Sequence, residues 1–330
     1  MIHLRIAVPG PKSERVVDLL EASPSVSSLA RIEGASRKPP GDLVFCDIAR
    51  EDASVMIDDL RELGVPEEGS ISVEEIDSQL SKAAEQAERA ARGSPGDAVV
   101  WEEVEARTSE SIELNANFLA FMALACLIAS VGVMLGQPVL IVGAMVVGPE
   151  FGPLAGLSVA IAQRRPDVGL RSLRALAIGF PIGITGAFLF SLFAKWTDLI
   201  GSGFEVGNQP LTAFISEPST FSFIVALFAG AAGVLSLTSA KSGALIGVLI
   251  SVTTIPAAAA IGVAAAFGNW ADWRGAIAQL VINLSAIVIA GVLTLRAQNR
   301  VFERRRARHL GDSSRAQAGL PTAPRRRGGR

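Results

Sequence analysis

Six stretches of this 330-residue chain are apolar over about the length of a membrane-crossing helix, and no other feature restricts its fold so tightly. A helix needs about 20 apolar residues to cross a ~30 Å hydrocarbon layer. Residues 118–136 (FLAFMALACLIASVGVMLG) carry no charge, and 139–163 carry one, Glu150. The stretches 175–194, 218–240, 242–271 and 275–295 are also uncharged. Spans are predicted near 117–135, 138–162, 173–194, 219–239, 242–266 and 274–295. Proline and glycine interrupt the second and fifth, so five spans with re-entrant pieces is the alternative. None of these segments has the polar face that a helix of a soluble protein turns to water.

Charge is segregated along the chain. Residues 1–116 hold 12 Lys/Arg against 24 Asp/Glu, whereas 296–330 hold 11 Arg against 2 acids. Only 19% of all residues are charged, below the roughly 25% of soluble domains. A simple cytosolic enzyme, a secreted mini-protein and a disordered chain are therefore excluded. Two Cys and two His exclude a disulfide scaffold and argue against a thiolate or multi-histidine metal site. No cofactor is expected. Orientation follows from basic residues in short loops. Arg164, Arg165, Arg171, Arg174, Lys241 and the tail from Arg296 to Arg308 fall on one side if the spans number six. The opposite side has Lys195 and Arg274. Both termini are thus expected in the cytoplasm, with the spans in the plasma membrane. No signal peptide is expected, since His3, Arg5 and Pro9 stand where an apolar core would lie.

The first 77 residues read as a soluble α+β domain. Ile2, Leu4, Ile6 and Val8 alternate as in a strand. A helix capped by Ser13 carries Val16, Val17, Leu19 and Leu20. Strands at about 26–32 and 43–49 flank an RKPPGD loop, a helix covers 52–63, and a last strand covers 70–76. This order is the split βαβ pattern of ferredoxin-like domains. His3, Cys46 and Asp47 form no catalytic cluster by this reading. Residues 78–116 read as a helical linker with a hinge at 93–97. Trp101, Val104, Thr108 and Ile112 share one face there, for the membrane surface, the soluble domain or a neighbouring subunit. In the basic tail, 296–330, Arg296–Arg308 are expected on anionic headgroups, and 311–330 are expected to be disordered. Without a folded basic surface or aromatic platforms, nucleic acid is not an expected partner.

The stretch VGAMVVGPEFGPLAGL (142–157) is the most informative. Pro149 and Pro153, with Gly148, Gly152 and Gly156, should open the second span near the bilayer midplane. Freed backbone groups cannot face lipid and must be buried or line a wet cavity. Glu150 sits inside the break, where a charge costs on the order of 3 kcal/mol on insertion scales. The fifth span repeats the device with Thr253, Thr254 and Pro256. Spans one to three and four to six then read as an inverted 3+3 repeat, whose sites lie where broken helices meet. Asn283 and Ser285 lie midway along the sixth span, where interhelical hydrogen bonding is the plain reading and a solute contact at Asn283 the sharper one. Gly179/Gly183 and Gly243/Gly247 read as close-packing pairs, and Pro181 as a kink in the third span.

The blocks LACLIASVGVMLGQPVLIVGAMVVGPEFGPLAGL (124–157), SAKSGALIGVLISVTTIPAAAAIG (239–262) and INLSAIVIAGVL (282–293) carry a resemblance. Together they resemble a prokaryotic multi-pass family known as an uncharacterised hydrophobic domain, domain-of-unknown-function family 389, over about 115–295. Gly143, Ala144, Met145, Gly148 and Pro149 are its most specific part. The resemblance implies a membrane protein and supplies neither a substrate nor residue roles.

Three functions compete on this reading. The first is a secondary transporter or ion pathway for a small solute, proton or cation, with Glu150 as its titrating group and the soluble domain as its gate. The second is a non-transporting membrane sensor or scaffold acting through the ferredoxin-like domain. The third, an intramembrane enzyme, lacks a constellation of catalytic groups. Membrane lipids and further copies of the chain are the other expected partners.

Overall fold

The computed structural model describes residues 1–91, 98–200, 215, 219–239 and 253–322. They form two compact units, Met1–Glu105 with Gln298–Arg330, and Ala106–Ala297. The predicted hinge at 93–97, Lys241, Gly243, Gly247 and the first half of the predicted fifth span lie outside the described residues.

In the first unit the elements run β1 (Ile2–Val8), α1 (Gly10–Glu21), β2 (Val26–Arg37), β3 (Pro40–Ile48), α2 (Arg50–Glu62), α3 (Val65–Glu68) and β4 (Ser70–Glu75). The strands form one antiparallel sheet in the order β2-β3-β1-β4. Alternation decides which face is buried. Ile2, Leu4, Ile6 and Val8 of β1 and Val44, Cys46 and Ile48 of β3 meet Val16, Leu19 and Leu20 of α1 and Met56, Ile57 and Leu60 of α2. The first helix begins three residues before Ser13, which lies inside it and is buried. Pro11, preset for a first helical turn, replaces the expected serine cap. The expected RKPPGD loop shrinks to a two-residue connection, because Arg37 pairs with Pro40 and Ser36 with Gly41. His3, expected to stand alone, has Nδ1 2.7 Å from Asp47 Oδ1, and Gln79 donates to the other oxygen of Asp47 at 3.0 Å. Residue 3 faces residue 47 in the β1–β3 register, a pairing that no local pattern reveals.

Two more helices follow, α4 (Lys82–Ala90) and α5 (Trp101–Ser111). Within the first unit α5 is anchored by charge. Glu102 accepts from Ser54 at 2.7 Å and from Arg61 at 2.9 Å, and Glu103 pairs with the buried Arg50 at 2.9 Å.

The tail differs most from expectation. The last long helix, α12 (Trp270–His309), ends in the first unit and is followed by α13 (Ser313–Gln317). Residues 311–322 fold back rather than trailing free, and Ala318 and Leu320 join the core of the sheet domain. Arg306 pairs with Asp58 and Glu62, and Arg315 with Asp59 and Glu62, while His309 Nε2 lies 2.7 Å from Asp59 Oδ2. Arg306 and Arg315 thus meet the acidic face of α2.

The second unit comprises α6 (Ala116–Met134), α7 (Pro138–Val147), α8 (Phe151–Gln163), α9 (Pro166–Trp196), α10 (Thr220–Thr238), α11 (Thr254–Phe267) and the apolar part of α12. Among the described residues, α6, α9, α10 and α12 are each long and apolar enough to cross a membrane, and the bent pair α7–α8 would make a fifth. Helix α11 has 14 residues, about 21 Å of rise, so by itself it falls short of a ~30 Å core. Large apolar side chains such as Phe121, Leu189, Phe228 and Leu293 point outward, and small ones fill the interior. Ala257–Ala260 of α11 are fully buried, and that helix packs against α6, α7 and α9. Gly179 and Gly183 lie against Phe118, Met122 and Cys126 of α6, as small-residue packing requires. Helix α9 runs unbroken through Pro181. Asn115 caps α6, accepting from Phe118 N at 2.8 Å.

Candidate functional site

The second span breaks once, not twice. Pro149 has no N–H to offer the Met145 carbonyl, so α7 ends at Val147 and the chain bends by 54° into α8. Pro153 causes no second break because it occupies the third position of α8, where an N–H would have no partner within the helix. Glu150 stands at the N-cap of α8 and is 1% exposed. Its carboxylate folds back over Gly148, where an added Cβ would lie 2.3 Å from Oε2 and 2.6 Å from Ile255. Glycine is thus required sterically at the break.

The N-terminus of α11 meets this carboxylate. Thr254, its first residue and fully buried, donates its hydroxyl to Glu150 Oε1 at 2.7 Å. Its neighbour Thr253 accepts from Asn283 Nδ2 of α12 at 2.6 Å, and Gln279 donates to Asn283 Oδ1 at 3.3 Å. Asn283 and Gln279 are 0% and 1% exposed. Glu150 Oε2 and Gln279 Oε1 are buried without a hydrogen-bond partner among the described residues. Five polar side chains thus lie in series in the interior, and among the described residues an acceptor at each end is unmet. Glu150 thus stands between the first turn of α8, which its side chain does not cap, and the first turn of α11, whose N–H groups carry partial positive charge.

Of the residues expected at the site, Gly148, Pro149, Glu150, Thr253, Thr254 and Asn283 come together. Gly152 belongs instead to a helix contact, its Cβ position 2.8 Å from Ser111 of α5. Gly156 likewise meets Ser172, Ile112 and Thr108, so the apolar face of α5 within this unit packs on α8. Pro153 and Pro256 are buried and shape first turns rather than offering polar atoms. Gln279 is the member that sequence reasoning missed. A glutamine one helical turn before Asn283 in an uncharged span was the available signal.

In the first unit, burial pushes the Cys46 thiol up to about 12, so it is core filling rather than a nucleophile. Among the described residues no group of three or more His, Cys, Asp or Glu could hold a metal ion.

Apolar helices with spanning length, one broken around a buried carboxylate, define a polytopic membrane-type domain beside a small antiparallel sheet domain. The family model described as Domain of unknown function (DUF389) matches residues 145–289, so the chain is similar to this family over that stretch. The match includes the break, α11 and Asn283, and is narrower than the expected 115–295. An uncharacterised protein of Methanocaldococcus jannaschii is 23% identical over 199 residues, 60% of this chain and 59% of the relative. The match thus spans well under two thirds of that protein's length. No solved structure matches the chain.

Proposed function

We propose that the protein is a multi-pass protein of the cell membrane, with both termini cytoplasmic, that moves a small solute or ion through the second unit without catalysing a reaction. One observation carries this reading: a buried carboxylate, one oxygen of which has no hydrogen-bond partner among the described residues, set where two helix N-termini meet. An idle acid at that depth would be a standing cost. The surroundings also favour one kind of cargo. The positive ends of α8 and α11 repel a bare cation and attract an anion. Uptake of a proton by Glu150 would leave those ends free for an anionic solute, and its release would return the carboxylate to compete for them. Proton-coupled movement of a small anion is therefore the preferred form of the transport reading.

The registers of α8 and α11 support the inverted-repeat arrangement. Each half-helix has a polar residue at its N-cap, Glu150 or Thr253, and a proline at its third position, Pro153 or Pro256. With residues 242–266 as a fifth crossing the spans would number six. The strand and helix order of the first unit fits the ferredoxin-like arrangement, and we assign it an accessory or oligomerising role in a homo-oligomer. Lipids rather than nucleic acid are its other surroundings.

Purified full-length protein in proteoliposomes, with internal pH followed under an imposed gradient, tests the reading. Glu150→Gln should fold and lose pH-driven flux. A Glu150→Leu protein that gains thermal stability and keeps its flux unchanged would overturn it, in favour of a membrane-anchored sensor or scaffold.

A further inference from the structure

The first unit contains a cavity of about 570 Å³ that the transport reading does not use. Its walls come from segments far apart in sequence: the α1–β2 turn with Ser23 and Ser25, the first turn of α2 with Asp52, and the end of α12 with Arg305, Arg308 and His309, followed by Asp312, whose carboxylate lies 3.8 Å from His309 Nδ1. The arginines of this helix end divide into two sets. Arg306 is spent on Asp58 and Glu62. Arg305 and Arg308 instead line the cavity, and among the described residues neither has a carboxylate within 4.0 Å. Arg305 donates one N–H to the Glu51 carbonyl at 2.5 Å, and Arg308 donates Nε to the Arg304 carbonyl at 3.3 Å. Among the described residues the remaining guanidinium donors of both make no hydrogen bond.

The cavity also has a polar floor. Ser23 and Ser25 are 6% and 2% exposed, and their hydroxyls lie 3.0 Å apart. Only one of the two hydroxyl protons is used in that bond, so the pair keeps one donor to spare. Asp52 supplies an acceptor, and its carboxylate makes no hydrogen bond or ion pair among the described residues. Two forked cations with a hydroxyl donor recognise an oxyanion, phosphate above all. A carboxylate beside them asks for a hydroxyl or amine on the same ligand. The volume falls within the range of small-molecule sites and far exceeds what a bare phosphate fills.

We propose that this cavity binds a phosphate-bearing small molecule of the mononucleotide class. Its phosphate lies between Arg305, Arg308 and the serine pair, and its ribose hydroxyls face Asp52. This assignment stands whether or not the second unit transports anything. A phospholipid headgroup carries the same phosphate, so the test must separate the two sources.

Full-length protein in detergent is titrated calorimetrically with adenosine and guanosine monophosphates, with inorganic phosphate and with glycerophosphoglycerol. A mononucleotide should bind saturably. Arg308→Gln, which alters an exposed side chain outside the ion-pair clamp, should weaken it roughly ten- to a hundredfold, the worth of one hydrogen bond to a charged group. Asp52→Asn should weaken the nucleotide and leave inorganic phosphate unchanged. Absence of saturable binding by both nucleotides, or equal affinity in wild type and Arg308→Gln, would overturn the proposal. So would binding of glycerophosphoglycerol with no binding of nucleotide, which would assign the cavity to a lipid headgroup.

Discussion

Replacing Arg315 with alanine probes the clamp that holds the tail on the sheet domain. Arg315 is 1% exposed and its partner Asp59 2%. The guanidinium also meets Glu62 at 2.7 Å and the Pro321 carbonyl at 3.1 Å. Its removal leaves Asp59 with His309 alone, at 2.7 Å. Breaking a buried pair from one side costs about 3–5 kcal/mol, because a charge is left without compensation. The chain can escape part of that cost by releasing 313–320, which readmits water to Asp59 and gives up about 2 kcal/mol from burial of Leu320. Docking of the tail is therefore lost before the sheet is. The amides of Ala318 and Leu320 donate to the Ser314 and Arg315 carbonyls at 3.2 and 2.8 Å. In Arg315→Ala their protection should fall by about two to three orders of magnitude, while amides of β1 and β3 keep theirs. Hydrogen exchange read by mass spectrometry on the full-length protein measures both regions at once. The double variant with Asp59→Asn should lose less than the sum of the two single losses. Unchanged exchange at 313–320, or strict additivity, would refute the clamp.

Three further expectations follow from local geometry. Burial holds the Glu51 carboxyl above its ordinary range, and among the described residues neither oxygen has a hydrogen bond of good geometry. A raised folded pKa favours folding while the group is protonated and subtracts stability as pH rises through it. Glu51→Gln should therefore raise the thermal midpoint at about pH 8 and change little at about pH 4. Gly183→Ala places a Cβ 2.5 Å from Cys126 Sγ and should cost about 1–3 kcal/mol by forcing α6 and α9 apart. Gly186→Ala, which meets nothing within 4 Å, should be neutral or stabilising by up to about 1 kcal/mol; thermal unfolding in detergent reads both. Thr254→Val removes the donor to Glu150 Oε1 and should cost about 1–3 kcal/mol, a loss that disappears in a Glu150→Leu background when the same unfolding assay is repeated.

Much of this architecture follows from local pattern. Strict alternation in Ile2–Val8 and the apolar run of 43–49 placed the central strands, because a half-buried strand has no other way to satisfy both faces. Uncharged length placed the long apolar helices, and Pro149 beside Glu150 placed the break. What escaped was whatever depends on distant partners or on position within a turn. Pro153 looks like a second breaker until its place at the third residue of a helix is known. The polar line from Glu150 to Gln279 joins three helices, and only the coordinates align Thr253 with Asn283. Residues 311–322, unlike 323–330, are among the described residues, and they depart from the expectation because a stretch rich in glycine, alanine and arginine with one leucine resembles an unfolded segment. Its order comes from acids on α2 that lie some 250 residues earlier.

The 40 residues of α12 have a consequence for biogenesis. The sheet domain leaves the ribosome before the apolar helices, and the arginines that neutralise Asp58, Asp59 and Glu62 follow only after those helices. Until then that acidic surface repels itself and Leu19, Leu20 and their neighbours lack the cover of Ala318 and Leu320. Completion of the sheet domain therefore waits on synthesis of α12 and α13, and a product truncated before them would display an incomplete, protease-sensitive sheet domain.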